Sequence, residues 1–195
     1  MQISQQKLTI KQQVEELEIF TGFETRNKYR ILDQTGKDLF FAYEESKFFS
    51  RQFLKTIRPL KLIIINKNKQ PELIIERGFF IIRPHYIIKL PNGQVIGHVK
   101  KKRWWSIYTL DVYDGQENLK FTCSPQLPKH PWTYDVTTNN SKVALIQKRW
   151  SGIGKEFYTD ADNFSIDLGS IKDNNLKILL ISAVFAIDLT RFERK

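Results

Sequence analysis

Sulfur chemistry is nearly absent from this chain. Cys123 is its one cysteine, so no disulfide framework and no cysteine-based zinc site can form within a single copy. The compartment expected is therefore a reducing one. Histidine is almost as scarce: His85, His98 and His130 stand in separate segments without metal-ligand spacing. No Gly-x-Ser-x-Gly, P-loop or dinucleotide fingerprint occurs, and Cys123 has no visible partner as a nucleophile. Hydrolytic and redox enzymes are not expected. Met1 to Lys11 is polar and Gln-rich, without the apolar core of a secretory leader, and Gln2 stands where N-myristoylation needs glycine. A membrane span needs ~20 mostly apolar residues. The apolar stretch here runs only from Ile178 to Ile187, with Ser182 inside it and Asp188 closing it.

What the chain does hold is apolar residues, aromatics and positive charge. Its 195 residues are 41% hydrophobic and 13% aromatic, which fits one globular domain with a real core. Lysine and arginine number 31 against 21 acidic residues, a net charge of +10. Such a surplus favours an anionic partner, either a nucleic acid or an acidic membrane surface.

Along the chain one pattern repeats: a β-rich run, turn residues, another β-rich run. Tyr29–Leu32 and Leu39–Tyr43 flank Asp33 to Gly36, and Leu60–Ile65 and Leu73–Glu76 flank Asn66 to Pro71. Tyr86–Leu90 and Val95–Val99 flank Pro91-Asn92-Gly93, Ile107–Tyr113 and Leu119–Thr122 flank Asp114-Gly115, and Thr133–Thr137 and Val143–Gln147 flank Asn139-Asn140. Asn-Gly and Asp-Gly pairs predict two-residue turns with positive φ. A sixth pair is expected from Glu156–Tyr158 and Phe164–Leu168.

So many short strands need closure or cover. From about 174 to 193 the chain reads as one helix that is apolar on all sides, with Asp173, Asn174 and Asn175 as N-caps and Arg191, Arg194 and Lys195 at its C-terminal end. The fold expected is mainly β: a closed antiparallel barrel of about twelve strands enclosing a hydrophobic C-terminal α-helix. A polar tail over 1–11 precedes a single domain over 12–195 in this expectation.

Several strings resemble the phospholipid scramblase family, whose fold is related to the tubby C-terminal domain and the plant LURP-one proteins. They are Gln13-Val14-Glu15-Glu16-Leu17-Glu18 running into Thr21-Gly22-Phe23-Glu24-Thr25, Asn27-Lys28-Tyr29, Phe41-Ala42, Ile96-Gly97, Trp104, Trp150-Ser151-Gly152, Phe157-Tyr158-Thr159-Asp160-Ala161-Asp162-Asn163-Phe164 and Phe185-Ala186-Ile187-Asp188. The resemblance implies a twelve-stranded barrel around a central helix. It departs from the animal members at Glu44 to Phe53, where they carry a cysteine cluster and this chain has none, so acyl anchoring there is excluded.

The resemblance also implies a calcium segment from Asp160 to Asp173, with Asp160, Asp162, Asp167 and Asp173 as candidate ligands. Asp160 and Asp162 fill the first and third positions of a calcium loop, but Phe164, Ser165 and Ile171 fall where a ligand, glycine and glutamate are usual. The alternative is a turn, a strand and a helix entry with solvated or capping aspartates. A lipid-contacting surface is expected at Lys100-Lys101-Lys102-Arg103-Trp104-Trp105 and at the similar Lys148-Arg149-Trp150. Basic residues near an acidic leaflet contribute ~1 kcal/mol each, and tryptophan favours the lipid–water interface. The competing explanation is a solvated hairpin end with tryptophan in the core. The loop from Phe48 to Lys55 carries three phenylalanines among basic residues and suits either membrane contact or barrel packing.

The leading expectation is a non-enzymatic protein, cytoplasmic and peripheral to the membrane, that binds acidic phospholipid or phosphoinositide headgroups. Calcium-linked movement of lipid between leaflets goes with it by resemblance. The alternatives are a nucleic-acid-binding or transcription-linked regulator, nuclear if eukaryotic, and a plain interaction scaffold.

Overall fold

Alternation of apolar and polar residues becomes twelve strands in the computed structural model, which describes residues 1–13, 27–45, 59–80, 83–102, 108–149 and 163–191. The strands are β1 Lys7–Gln13, β2 Lys28–Asp33, β3 Asp38–Glu45, β4 Leu60–Ile65, β5 Pro71–Arg77, β6 His85–Lys89, β7 Val95–Lys101, β8 Leu110–Asp114, β9 Leu119–Gln126, β10 His130–Thr138, β11 Ser141–Arg149 and β12 Asn163–Asp167. One helix follows, α1 Asn174–Arg191. Each strand pairs antiparallel with its neighbours in sequence, and β1 pairs with β12 to close the barrel. The fold is the expected mainly β barrel around a C-terminal helix.

The polar tail expected over 1–11 is corrected by β1. Leu8 and Ile10 alternate with Lys7, Thr9 and Lys11, a strand pattern hidden by polar composition, and both apolar side chains are buried with Ile3. The sixth hairpin is corrected as well. Asn163–Asp167 pairs with β11 and β1, while residues 156–158 lie outside the described residues.

Strand direction alternates, so the connections fall into two sets at opposite ends of the barrel. Those after even-numbered strands are 34–37, 66–70, 90–94, 115–118, 139–140 and the helix entry 168–173. Those after odd-numbered strands are 14–27, 46–59, 78–84, 102–109, 127–129 and 150–162. The first set is built from one repeated device. Gly36, Lys69, Gly93 and Glu117 each take a left-handed backbone, and each donates its N–H to the carbonyl three residues back, on Asp33, Asn66, Leu90 and Asp114. The strand register slips beside each turn. These are longer turns than the two-residue ones expected at Asn-Gly and Asp-Gly, because the left-handed residue follows a type I turn and forms a bulge. Asn139 and Asn140, both at positive φ, make the one two-residue turn of the expected kind among the described residues.

Helix α1 starts at the short-turn end. Asp173 caps it, accepting the Leu176 N–H at 2.9 Å. Every residue from Lys177 to Leu189 is buried. The helix has no polar face because the barrel surrounds it. Lys177, 3% exposed, donates to the carbonyls of Ile3 and Gln5, both at 3.2 Å. The helix lies nearest β7 and β8. Gly97 permits that approach: a Cβ there would meet Leu179 Cδ2 at 2.4 Å and the Tyr113 carbonyl oxygen at 2.5 Å.

Candidate functional site

Where α1 reaches the long-connection end, the apolar interior gives way to polar side chains. Tyr29 donates its hydroxyl to Asp188 Oδ2 at 2.7 Å. Arg77, 2% exposed, donates to the Leu189 carbonyl at 3.3 Å and to the Tyr86 hydroxyl at 3.1 Å. That places a cation on the negative end of the helix dipole. Arg191 lies 4.4 Å from the Tyr108 ring centroid and 4.6 Å from that of Trp132, and donates to the Tyr134 hydroxyl at 2.8 Å. Asn27 donates to the buried Glu44 carboxylate at 2.5 Å. Burial pushes the Tyr134 phenol up to about 12, so it stays protonated across physiological pH.

On the outer wall beside this rim, β6, β7 and β8 frame a cleft of about 340 Å³ lined by Arg83, Pro84, His85, Lys100, Lys101, Lys102, Asp111 and Tyr113. Arg83, Lys100 and Lys102 bring cations to it and Asp111 a carboxylate, while Lys101 shares the inward face of β7 with Gly97 and Val99 and borders the cleft at the strand end. Asp111 accepts the Thr122 hydroxyl at 2.7 Å, and Lys100 is held by Glu117 with its ammonium 5.0 Å from the Tyr113 ring centroid. Arg83 and Lys102 are exposed. The arrangement is a concave positive surface suited to a phosphate-bearing group.

The expected lipid-contact residues are divided by the structure. Lys100 and Lys101 end β7, and Lys102 follows them into the cleft. Arg103, Trp104, Trp105 and Trp150 lie outside the described residues, as does the segment 48–55. Lys148 is corrected: it is 7% exposed, its ammonium 5.5 Å from the Phe164 ring centroid. It shares the inward face of β11 with Ala144 and Ile146, which strand alternation dictates. Arg149 is exposed at the end of β11, four strands around the wall from β7. The two basic stretches share one rim and do not form one patch.

Asp167 accepts the Gly169 N–H at 2.9 Å and lies 3.9 Å from Lys7 Nζ. Asp173 caps α1. Both therefore serve local backbone at the short-turn end. Asp160 and Asp162 lie outside the described residues. Among the described residues no group of three or more His, Cys, Asp or Glu side chains could hold a metal ion. Cys123 is fully buried, and burial pushes its thiol up to about 12, which leaves it inert as a nucleophile.

The histidines were missed by spacing alone. His85 Nε2 and His98 Nδ1 are 3.0 Å apart, and His98 Nε2 is 3.3 Å from Glu117 Oε1. The signal lay in the hairpin. Once the turn at 90–94 is set, His85 pairs with Lys100 and Ile87 with His98, so both imidazoles share the outer face of adjacent strands.

No helix among the described residues is long and apolar enough to cross a membrane. Against known proteins, the Scramblase family profile matches residues 1–194. Mouse phospholipid scramblase 1 is 32% identical over 205 residues, covering 96% of this chain and 61% of that protein. Human phospholipid scramblase family member 5 is 31% identical, covering 95% of this chain and 73% of that protein. The chain thus spans under two thirds of the length of mouse scramblase 1. An Arabidopsis thaliana protein of known X-ray structure aligns with a TM-score of 0.48 at 14% identity, over 96% of this chain and 92% of its own. A family profile matched nearly end to end, and relatives above 30% identity over almost the whole sequence, place this chain in the scramblase family.

Proposed function

We propose that this protein binds acidic phospholipids at a bilayer surface through the long-connection end of its barrel, and that movement of phospholipid between leaflets is the activity this binding serves. The cleft carries the reading: Arg83, Lys100 and Lys102 border one concavity beside the rim. A net charge of +10 adds long-range attraction to an acidic leaflet. The relatives named as phospholipid scramblases point to the same ligand class. A soluble barrel with its apolar helix inside would act on the leaflet from one side, peripherally.

The test is flotation with phosphatidylcholine vesicles, with and without phosphatidylserine, in calcium or in chelator. Binding to the acidic vesicles in chelator is expected. Arg83→Gln with Lys102→Gln removes two exposed cations, and at ~1 kcal/mol each should weaken binding about thirtyfold. Flotation that appears only with calcium would move the site toward the segment from Asp160 to Asp173. No flotation under any condition would remove the membrane reading.

A further inference from the structure

The wall of the cleft contains a line of titratable groups that simple charge attraction does not need. His85 lines the cleft, with the imidazole of His98 behind it at 3.0 Å. Glu117 lies beyond, one oxygen 3.3 Å from His98 Nε2 and the other on Lys100. Glu117 occupies the left-handed turn position, φ 62°, where the equivalent turns at 36 and 93 use glycine. A glutamate accepts that strained backbone while its side chain bridges to β7. Its carboxylate, a pure acceptor, favours the proton on His98 Nε2. His98 Nδ1 is then bare and receives the Nε2–H of His85. In this tautomeric arrangement the pair is neutral and shares one N–H···N bond.

The groups facing the pair are few and of both signs. Lys100 comes from β7, Asp111 and Tyr113 from β8, Arg83 from the connection before β6, and Glu117 from the turn after β8. On β5, Glu76 is taken by Lys89 at 2.6 Å. Burial holds both imidazoles below the usual histidine value; Lys100 and His98 push His85 further down, while Glu117 opposes. At neutral pH the pair therefore carries no charge. An anion in the cleft would offset Lys100 and Arg83 and stabilise an imidazolium on the wall.

We propose that the cleft is a proton-linked site for the phosphodiester anion of a glycerophospholipid headgroup, the His85–His98 pair taking up one proton from solvent as the anion enters. The inference rests on the lipid-binding reading above and adds a regulation to it. Linkage is reciprocal: if the bound anion raises the affinity of the pair for a proton, a proton raises the affinity of the cleft for the anion. Two imidazolium ions 3.0 Å apart would repel, so one proton is taken up. One proton bounds the effect at about tenfold in affinity per pH unit. The sign follows from the depressed histidines: affinity rises as pH falls through the pKa of the anion-bound state and levels off below that of the free state.

Phosphatidylglycerol is the suitable probe, because its phosphodiester does not titrate between pH 5 and 8. Flotation with phosphatidylcholine vesicles containing phosphatidylglycerol should tighten at least about fivefold between pH 7.5 and 5.5, within the one-proton bound. The double variant His85→Gln, His98→Gln should bind with the same affinity at pH 5.5 as at pH 7.5, losing the tightening whatever its absolute affinity. Glu117→Gln, which removes the carboxylate that raises the His98 pKa, should move the tightening to lower pH. NMR of the imidazole C–H protons gives a readout independent of vesicles. Short-chain dihexanoyl phosphatidylglycerol should raise the midpoints of His85 and His98. Wild-type flotation that is strong but independent of pH, or a tightening that survives in the double variant, would overturn the proton linkage alone. An absence of flotation at every pH would overturn the lipid-binding reading and the linkage with it.

Discussion

The two ends of this barrel are built on different rules. At the short-turn end, the turns close on themselves, and contacts far apart in sequence are confined to the N-terminal residues on Asn174, Lys177 and Glu72. Asp33, Asn66 and Asp114 each accept two N–H bonds within their own turns, and Asp173 caps the helix three residues away. At the long-connection end, polar contacts join residues far apart in sequence: Tyr29 with Asp188, Arg77 with Leu189, Arg191 with Tyr134. The basic cleft lies beside this second end. One end is closed mainly by turns that bond within themselves, the other by side-chain pairs that tie the helix end to separate strands. Variation in one turn leaves its neighbours intact, whereas loss of Asp188, Arg77 or Arg191 frees the helix end from a strand of the wall. Among the four bulged turns Glu117 stands apart, its side chain reaching Lys100 on the wall of the cleft.

Substitutions can break that contrast. The largest loss is expected from Arg77→Ala, which removes hydrogen bonds from a buried cation to the helix end and leaves a void; the cost should be about 3 kcal/mol in denaturant unfolding. Arg191→Ala should cost about 2 kcal/mol by losing its stacking on Tyr108 and Trp132. Asp173→Ala should cost about 1 kcal/mol as the loss of one helix cap, with acidic-vesicle flotation unchanged. Lys69→Gly should gain about 0.5 kcal/mol by relieving a left-handed lysine. If Asp173→Ala cost as much as Arg77→Ala, or changed flotation, the division between the ends would fail.

The same division explains what was legible in the sequence. Turn chemistry and alternation are local signals, so five hairpins and the buried helix were readable from one pass. The turn types were misjudged at Asp114-Gly115 because the left-handed position is Glu117, which has no composition signature. The first strand was hidden because Lys7, Thr9 and Lys11 outweigh Leu8 and Ile10 in composition, and its partners β2 and β12 lie far along the chain. Lys100 to Lys102 stand together in the sequence as a basic run, but Arg83 joins them only through the sheet. Lys148 was misplaced because a basic run carries no mark of which residue points inward. The histidine pair needs strand register, which the turn at 90–94 supplies only after its length is known.

The position of α1 in the chain bears on how this protein is made. Its apolar side chains fill the barrel, yet they are synthesised after all twelve strands. Closure also waits for β12, since Lys7 pairs with Asp167 across almost the whole strand-forming sequence. A nascent chain that has completed ten hairpin strands still has an interior lined by Leu62, Ile75, Val99 and Ile146 with nothing to cover them. Local hairpins can form as they emerge, but the cooperative step comes only once α1 is available. Until then the ribosome holds an open, sticky sheet, and this protein should depend on chaperones during translation more than its modest length suggests.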